Sequence, residues 1–417
     1  MDNDGTKDQL SRRGFLGIGS AALAVAAGSV AVSGATAQES QPRTGPRATD
    51  PGPSNAALDG QNLDSEWPPG TDSKSLVPTF KYPFSFANKR TYEGGWSREV
   101  TVRELPVSKS MAGVNMRLTA GGVRELHWHT ADEWAIMLYG TARITAIDRD
   151  GKSFVADVKQ NDLWYFPSGI PHSIQGLEPD GAEFMLVFDD GNFSETETVL
   201  LSDSMSHLPA EVLSKNFGVA ELALKNLPKQ ELFIFQTGVP GALEADQRSA
   251  AGALGKSPAN FAFRTMEMPP TKRTKGGDVR IVDSSTFKVS TEVAMAMVTL
   301  HPGGLRELHW HPNADEWQYY ISGKGRMKVV STGNRARTMD FQAGDVGYVE
   351  KTLLHYVENT GDTDLVFLEM FKSSSYQDFS LSEWLSHTPP ELVMAHLNID
   401  KATLDAIPRD ELVIVSR

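Results

Sequence analysis

The stretch Arg124-Glu-Leu-His-Trp-His129 occurs twice in this 417-residue chain, returning letter for letter as Arg306-Glu-Leu-His-Trp-His311. Successive side chains of a β-strand alternate faces, so His127 and His129 point one way and Trp128 the other. The same alternation sets His309 and His311 against Trp310. A carboxylate follows in each copy, Glu133 and Glu316, and beyond it a further histidine, His172 and His355. Six of the ten histidines fall in these sets, so each copy can offer three imidazole nitrogens and one carboxylate oxygen. Such a donor set suits a borderline divalent metal, and four protein ligands on a six-coordinate ion leave two positions for substrate or dioxygen. A closed structural zinc site would more often draw on cysteine, and the chain has none.

Outward from these segments the chain reads as two all-β domains. In the first half, short apolar or alternating runs are separated by turn signals: Val114 to Leu118, Glu133 to Tyr139, Ala142 to Ile147, Asp162 to Phe166 and Phe184 to Phe188, with Asp150-Gly151 as a hairpin marker. Regular short strands of this kind indicate a sandwich or barrel. Two short helices are expected next, at Ala210 to Asn216 and Val219 to Asn226. The second half repeats the order, with strands such as Val293 to Leu300 and Glu316 to Ile321 and helices near Leu381 to His387 and Pro390 to Leu397. Ser-His-Leu-Pro209 and Ser-His-Thr-Pro389 stand at matching points, so the duplication includes the helical tails. The expected domains are 76–237 and 261–417, joined by a Gly/Ala/Pro-rich linker at 238–260.

Residues 1–37 read as an export address of the Tat type: Ser11-Arg-Arg-Gly-Phe-Leu16, a short apolar run and Ala35-Thr-Ala37 as a cleavage site. The expected location is therefore periplasmic or extracellular. Residues 38–75 lack apolar periodicity and read as a flexible or partner-draping arm. The formal charge of −13 argues against nucleic acid or an anionic membrane as partner, and it requires that an anionic substrate be drawn in by local positive charge.

These residues resemble the cupin superfamily and, within it, the bicupin oxalate decarboxylases. The first cupin motif is matched by Gly121, His127, His129, Glu133 and Gly140, and again by Gly303, His309, His311, Glu316 and Gly323. The second is met by Pro167, Gly169 and His172 in one half and by Gly344, His355 and Asn359 in the other, where Glu350-Lys-Thr352 replaces the usual Pro-x-Gly. The resemblance implies two jelly rolls (double-stranded β-helices), each with Mn(II) inside, and a lyase that splits oxalate into formate and carbon dioxide with dioxygen required. It also implies trimers or hexamers, in which Trp128 and Trp310 approach one another across subunits. The alternatives are an oxalate oxidase releasing hydrogen peroxide and a non-catalytic manganese-binding bicupin.

The same resemblance supplies candidate catalytic residues. Arg124 and Arg306 each precede the first ligand histidine by three, where a guanidinium can hold and polarise a carboxylate. The family's proton carrier is a glutamate on a lid that follows an F-D-D-G segment; here Phe188-Asp-Asp-Gly191 leads to Ser194-Glu-Thr-Glu-Thr198, so Glu195 takes that position within a lid at 194–198. The second half has no such lid and instead carries Glu369, with Tyr376 beyond it, at the offset that Leu186 occupies in the first. The two sites are therefore expected to be unequal, with the first as the catalytic centre.

Overall fold

The computed structural model describes residues 69–73 and 77–416. The export address at 1–37 and most of the arm at 38–75 lie outside these residues. The end of the arm that is described lies against the second domain, where Asp72 accepts from Lys328 Nζ and the Thr338 hydroxyl.

Each half folds as a jelly roll of antiparallel strands. In the first, one sheet runs through Gly122–Trp128, His172–Gly176, the later part of Glu133–Ile147 and Ser153–Lys159. The opposing sheet runs through Asp162–Phe166, the early part of Glu133–Ile147, Ala182–Phe188, Ala112–Leu118 and Gly95–Val100. The two runs expected at Glu133 to Tyr139 and Ala142 to Ile147 are thus one bent strand that passes from sheet to sheet. Its corner is Gly140, at φ 73°, where a Cβ would run into the Gly181 carbonyl. Gly323, at φ 83°, plays the same part in the second half, between Glu316–Ser322 and Lys324–Ser331. The hairpin marker at Asp150-Gly151 joins Glu133–Ile147 to Ser153–Lys159, with Ile147 opposite Ser153.

Several strands read as continuous apolar runs because both of their faces are covered. On Ala182–Phe188, Phe184 and Leu186 enter the first barrel with Ile144, Trp164 and Phe166. Their neighbours Met185 and Val187 turn outward to a cluster shared by the two domains, where Trp134 and Leu163 meet Met295, Met297, Trp317, Leu368 and Met370. The second barrel is filled by Val298, Tyr320, Met327, Phe341 and Phe367. Each such fully buried side chain contributes roughly 1.5–3 kcal/mol before entropy is counted, so the shared cluster binds the two barrels firmly.

The domain edges differ from the expected boundaries. Lys81–Pro83, assigned to the first domain by position, pairs with Asp345–Val349 of the second, and Lys81 Nζ reaches Asp345 at 3.0 Å inside the protein. In return Ala262–Arg264, assigned to the second domain, pairs with Asp162–Phe166 of the first. Each sheet edge is closed by a strand from beyond the other domain, which leaves fewer unpaired backbone groups. Within the linker at 238–260, Leu243–Ala251 is a helix on Ser153–Lys159, where Gln247 donates to the Val155 carbonyl and Asp246 pairs with Arg143. Its Leu-Glu-Ala-Asp-Gln-Arg-Ser-Ala-Ala run has helix propensity that the flanking glycines mask in an averaged reading. Of the expected helices, Ala210–Phe217, Leu381–Ser386 and Pro390–Leu397 form, whereas Val219 to Asn226 narrows to a single 3-10 turn at Glu221–Leu224. Gly218, in the left-handed conformation, ends the preceding helix, and Pro228 allows little length for another. Among the described residues no helix is long and apolar enough to cross a membrane.

Candidate active site

The four donors of the first set come from three neighbouring strands. His127 lies directly across the ladder from His172, as His309 does from His355. His129 sits just beyond the end of Gly122–Trp128, and Glu133 opens the next strand. All eight residues are buried, and within each set one ligand atom from every residue lies within 4.8 Å of the others.

Backbone carbonyls fix the rings. Nδ1 of His127, His129 and His172 lies 2.6, 2.7 and 2.7 Å from the carbonyls of Glu125, Ala131 and Ile170. A carbonyl can only accept, so Nδ1 carries the proton and Nε2 turns its lone pair inward. In the second set the partners are the carbonyls of Glu307, Gln377 and Leu353. The carboxylates are held as firmly. Glu133 accepts from the Trp164 indole at 2.9 Å, and Glu316 from the Gln318 amide at 2.6 Å.

The second set shows most clearly what such a site fits. Nε2 of His309, His311 and His355 and Oε2 of Glu316 are buried without a hydrogen-bond partner, although Glu316 Oε2 lies only 2.7 Å from His355 Nε2. Electron-rich atoms converging without hydrogens between them are satisfied by a cation. Electrostatics agree. Burial, aided by Arg124 and the other imidazoles, holds His127 well below the ordinary histidine range, and burial with Arg306 does the same to His309. Burial pushes Glu133 up, but His172 and His129 outweigh it and hold the carboxyl below the usual range. Neutral rings and ionised carboxylates are the forms that ligate. His311 is the exception in direction: Glu316 raises it against burial.

The surroundings of the two sets differ. Arg124 is buried, donates to the Phe233 carbonyl at 3.2 Å and lies 4.0 Å from the centroid of the Phe233 ring. Burial lowers its proton affinity while Glu195 restores part of it, which places that carboxyl in its field. Glu195 is only 2% exposed, in a 3-10 turn capped by Ser194. Just before the lid, beside the metal set, Phe193 stacks on Phe188 at 3.6 Å and both rings meet His129 edge-on. Just beyond its other end, Leu200 lies across the ladder from His127. Burial raises the Glu195 carboxyl above its ordinary range, against the pull of Arg124 and Arg90.

In the second domain the matching arginine is consumed. Arg306 is fully buried and donates to Glu369 at 3.2 Å, to Tyr376 and Asp378 at 2.6 Å each, and to the Val413 carbonyl. The segment matching the lid is tied down by the Gln377 carbonyl on His311. The unusual Glu350-Lys-Thr352 loop nonetheless delivers His355. Thr352, at φ 68°, takes the turn that Gly169 takes at φ 76°, and both donate to the carbonyl of the matching histidine, His311 or His129, at 2.9 Å.

The sequence reading missed Trp164, Gln318, Phe233, Arg90 and Asp378. Gln318 was accessible, since two residues along a strand from Glu316 is the same face. The others reach the sites through chain reversals that no local pattern announces. Trp128 and Trp310 are half-buried on the outer face of their strands, and Trp310 packs on Phe379 and Trp384.

A double jelly roll with one buried His3Glu set in each barrel is the architecture of a metal-binding bicupin, and the cupin pattern matches residues 84–223 and 264–405. The chain belongs to the bicupin oxalate decarboxylase family. It is 51% identical over 365 residues to the oxalate decarboxylase OxdC of Bacillus subtilis strain 168, covering 88% of this chain and 94% of that one. To a probable oxalate decarboxylase of Arthroderma benhamiae it is 38% identical over 371 residues, covering 88% and 90%. A solved structure of the B. subtilis oxalate decarboxylase at pH 4.6 superposes with a TM-score of 0.86 at 50% identity, covering 90% of this chain and 98% of the other. Another, concerned with the Mn(II) centres of that enzyme, also gives 0.86, over 89% and 97%.

Proposed function

We propose that this protein is a manganese-dependent oxalate decarboxylase that yields formate and carbon dioxide with dioxygen as cofactor, and that the first domain is its catalytic centre. The observation that carries this reading is the pairing, beside the His127/His129/Glu133/His172 set, of Arg124, whose guanidinium makes one side-chain hydrogen bond among the described residues besides its ring contact, with a buried lid carboxyl at Glu195. The relatives named for oxalate decarboxylation support the substrate.

Manganese and dioxygen, when bound, would take one electron from hydrogen oxalate, which has no acidic C–H, and give it back once the C–C bond has broken. The protein's own groups do the rest. Arg124 holds and polarises one carboxylate of oxalate through its open donors. Glu195, whose proton affinity is raised by burial, accepts the carboxyl proton as the C–C bond breaks and returns a proton to the carbon left as formate. Closure of the lid keeps water out during the transfer. The sealed Arg306–Glu369–Asp378–Tyr376 cluster in the second domain gives that site a structural or auxiliary role.

Replacing Glu195 by Gln is expected to abolish formate production while metal content stays native. Formate at the native rate would show that the proton carrier lies elsewhere, and peroxide as the main product of the native protein would favour the oxidase reading. Export through the Tat route and assembly into trimers or hexamers are part of the same proposal. Fusion of residues 1–37 to a reporter and sedimentation of the purified protein test them.

A further inference from the structure

The carboxyl of Glu195 is gripped from outside the barrel by a hairpin that the reaction does not otherwise use. Lys89–Tyr92 pairs with Gly95–Val100, Arg90 opposite Ser97. Alternation puts Arg90 and Tyr92 on one face, and both meet the Phe233 ring, Tyr92 stacked at 5.0 Å and the Arg90 guanidinium 4.9 Å from its centroid. Arg124 lies on the same ring. From this position Arg90 Nη2 reaches Glu195 Oε2 at 2.9 Å.

The neighbouring strand supplies a second hold. Glu99 accepts the backbone N–H of Glu195 at 3.1 Å, stands 3.9 Å from Arg90 Nη2, and is itself held by Arg103. The lid residue is therefore fixed at its main chain by one strand of the hairpin and at its carboxyl by the other. The Arg90 side chain is 27% exposed and that of Glu195 2% exposed, so the guanidinium stands on the solvent side of the carboxyl and covers it.

We propose that Arg90 is a positioning residue for Glu195: its guanidinium, with Glu99 on the lid backbone, holds the Glu195 carboxyl in the buried position beside Arg124. The inference rests on the proton-carrying role proposed for Glu195. Among the described residues the Arg90 guanidinium meets Glu195, Glu99 and the Phe233 ring and none of the four metal-directed donors; it acts through the lid. A lid that lost this grip would spend more time open, admitting water and withdrawing the proton from the carbon that needs it. Phe233, at φ 58°, is itself held in place by Glu125, which accepts its N–H. The grip is thus built on a rigid support.

The test uses the full-length, metal-loaded protein with Arg90→Gln and Arg90→Lys, each checked for native metal content and thermal midpoint. A Glu-specific protease reads the lid directly, because cleavage after Glu195 requires that buried residue to leave its position. The Arg90→Gln protein is expected to be cut there about tenfold faster, the effect of losing one charge-assisted hydrogen bond, and to form about tenfold less formate per peroxide. Arg90→Lys is expected to recover part of both, since an ammonium can make one of the bonds. It also serves if the Gln variant fails to fold. Cleavage at the native rate in the variants overturns the inference, even if formate production by the native protein and its loss in Glu195→Gln uphold the proposed function. If the native protein makes no formate, the proposed function fails, and the cleavage rate still decides whether Arg90 holds the lid.

Discussion

Replacing Trp164 by Phe separates the support of the metal set from its ligands. The Trp164 indole donates to Glu133 Oε1 at 2.9 Å, both residues are fully buried, and the ring packs edge-on against Phe184. Phenylalanine keeps an aromatic ring there and deletes the donor. A hydrogen bond to a charged group is worth about 1.5–3 kcal/mol, and the smaller ring adds a packing cost of about 1 kcal/mol to overall stability. With Oε1 unheld, Glu133 turns more freely, and the cost to metal affinity in the first set is expected to be about 10- to 100-fold. The second set is an internal control, because Glu316 is held by Gln318 instead. Chelator titration of protein loaded with two manganese ions is expected to release one ion at about 10- to 100-fold lower chelator concentration and the other as in the native protein. Release of both ions at native concentrations, or of both together at a lower one, would refute the assignment of this bond to the first site alone.

Two further outcomes follow from the buried charges. Lys81→Met strands Asp345, whose partner lies at 3.0 Å with both side chains almost wholly buried; a loss of about 3–5 kcal/mol is expected by urea denaturation, less in the double variant with Asp345→Asn. Native stability in the single variant would show that the exchanged strand Lys81–Pro83 adds little. Burial raises Glu369 to about 7 in the folded protein, with Arg306 pulling it down and Glu316 pushing it up. Its contribution to stability is therefore present below about pH 4.5, the ordinary value, and is lost as pH rises through about 7. Metal-free native protein is expected to lose about 3 kcal/mol more than Glu369→Gln between pH 4.5 and 8, measured by urea midpoints, and equal pH slopes would disprove it.

The donor sets were legible in the sequence because they depend on local rules. Strand alternation puts His127 and His129 on one face, and the repeat at His309 and His311 marks the pattern as purposeful. The continuous apolar runs were legible as strands, but not which face met which neighbour. Met185 and Leu186 look alike as letters, yet one packs between the domains and the other fills a barrel.

By itself the sequence determined two β-domains, their eight metal-directed donors and the inequality of the second site, since Glu369 replaces Leu186 at a fixed offset. Tertiary structure alone decided that Arg306 is saturated by Glu369, Tyr376 and Asp378 while the Arg124 guanidinium, among the described residues, makes one side-chain hydrogen bond, to the Phe233 carbonyl. It alone closed each sheet with a strand from beyond the other domain and brought Arg90 to Glu195. The physical reason is separation along the chain. Arg124 and Phe233 are 109 residues apart and Arg90 and Glu195 are 105 apart, so these contacts are made by the closing of sheets and reversals of the chain, which leave no periodicity in the letters.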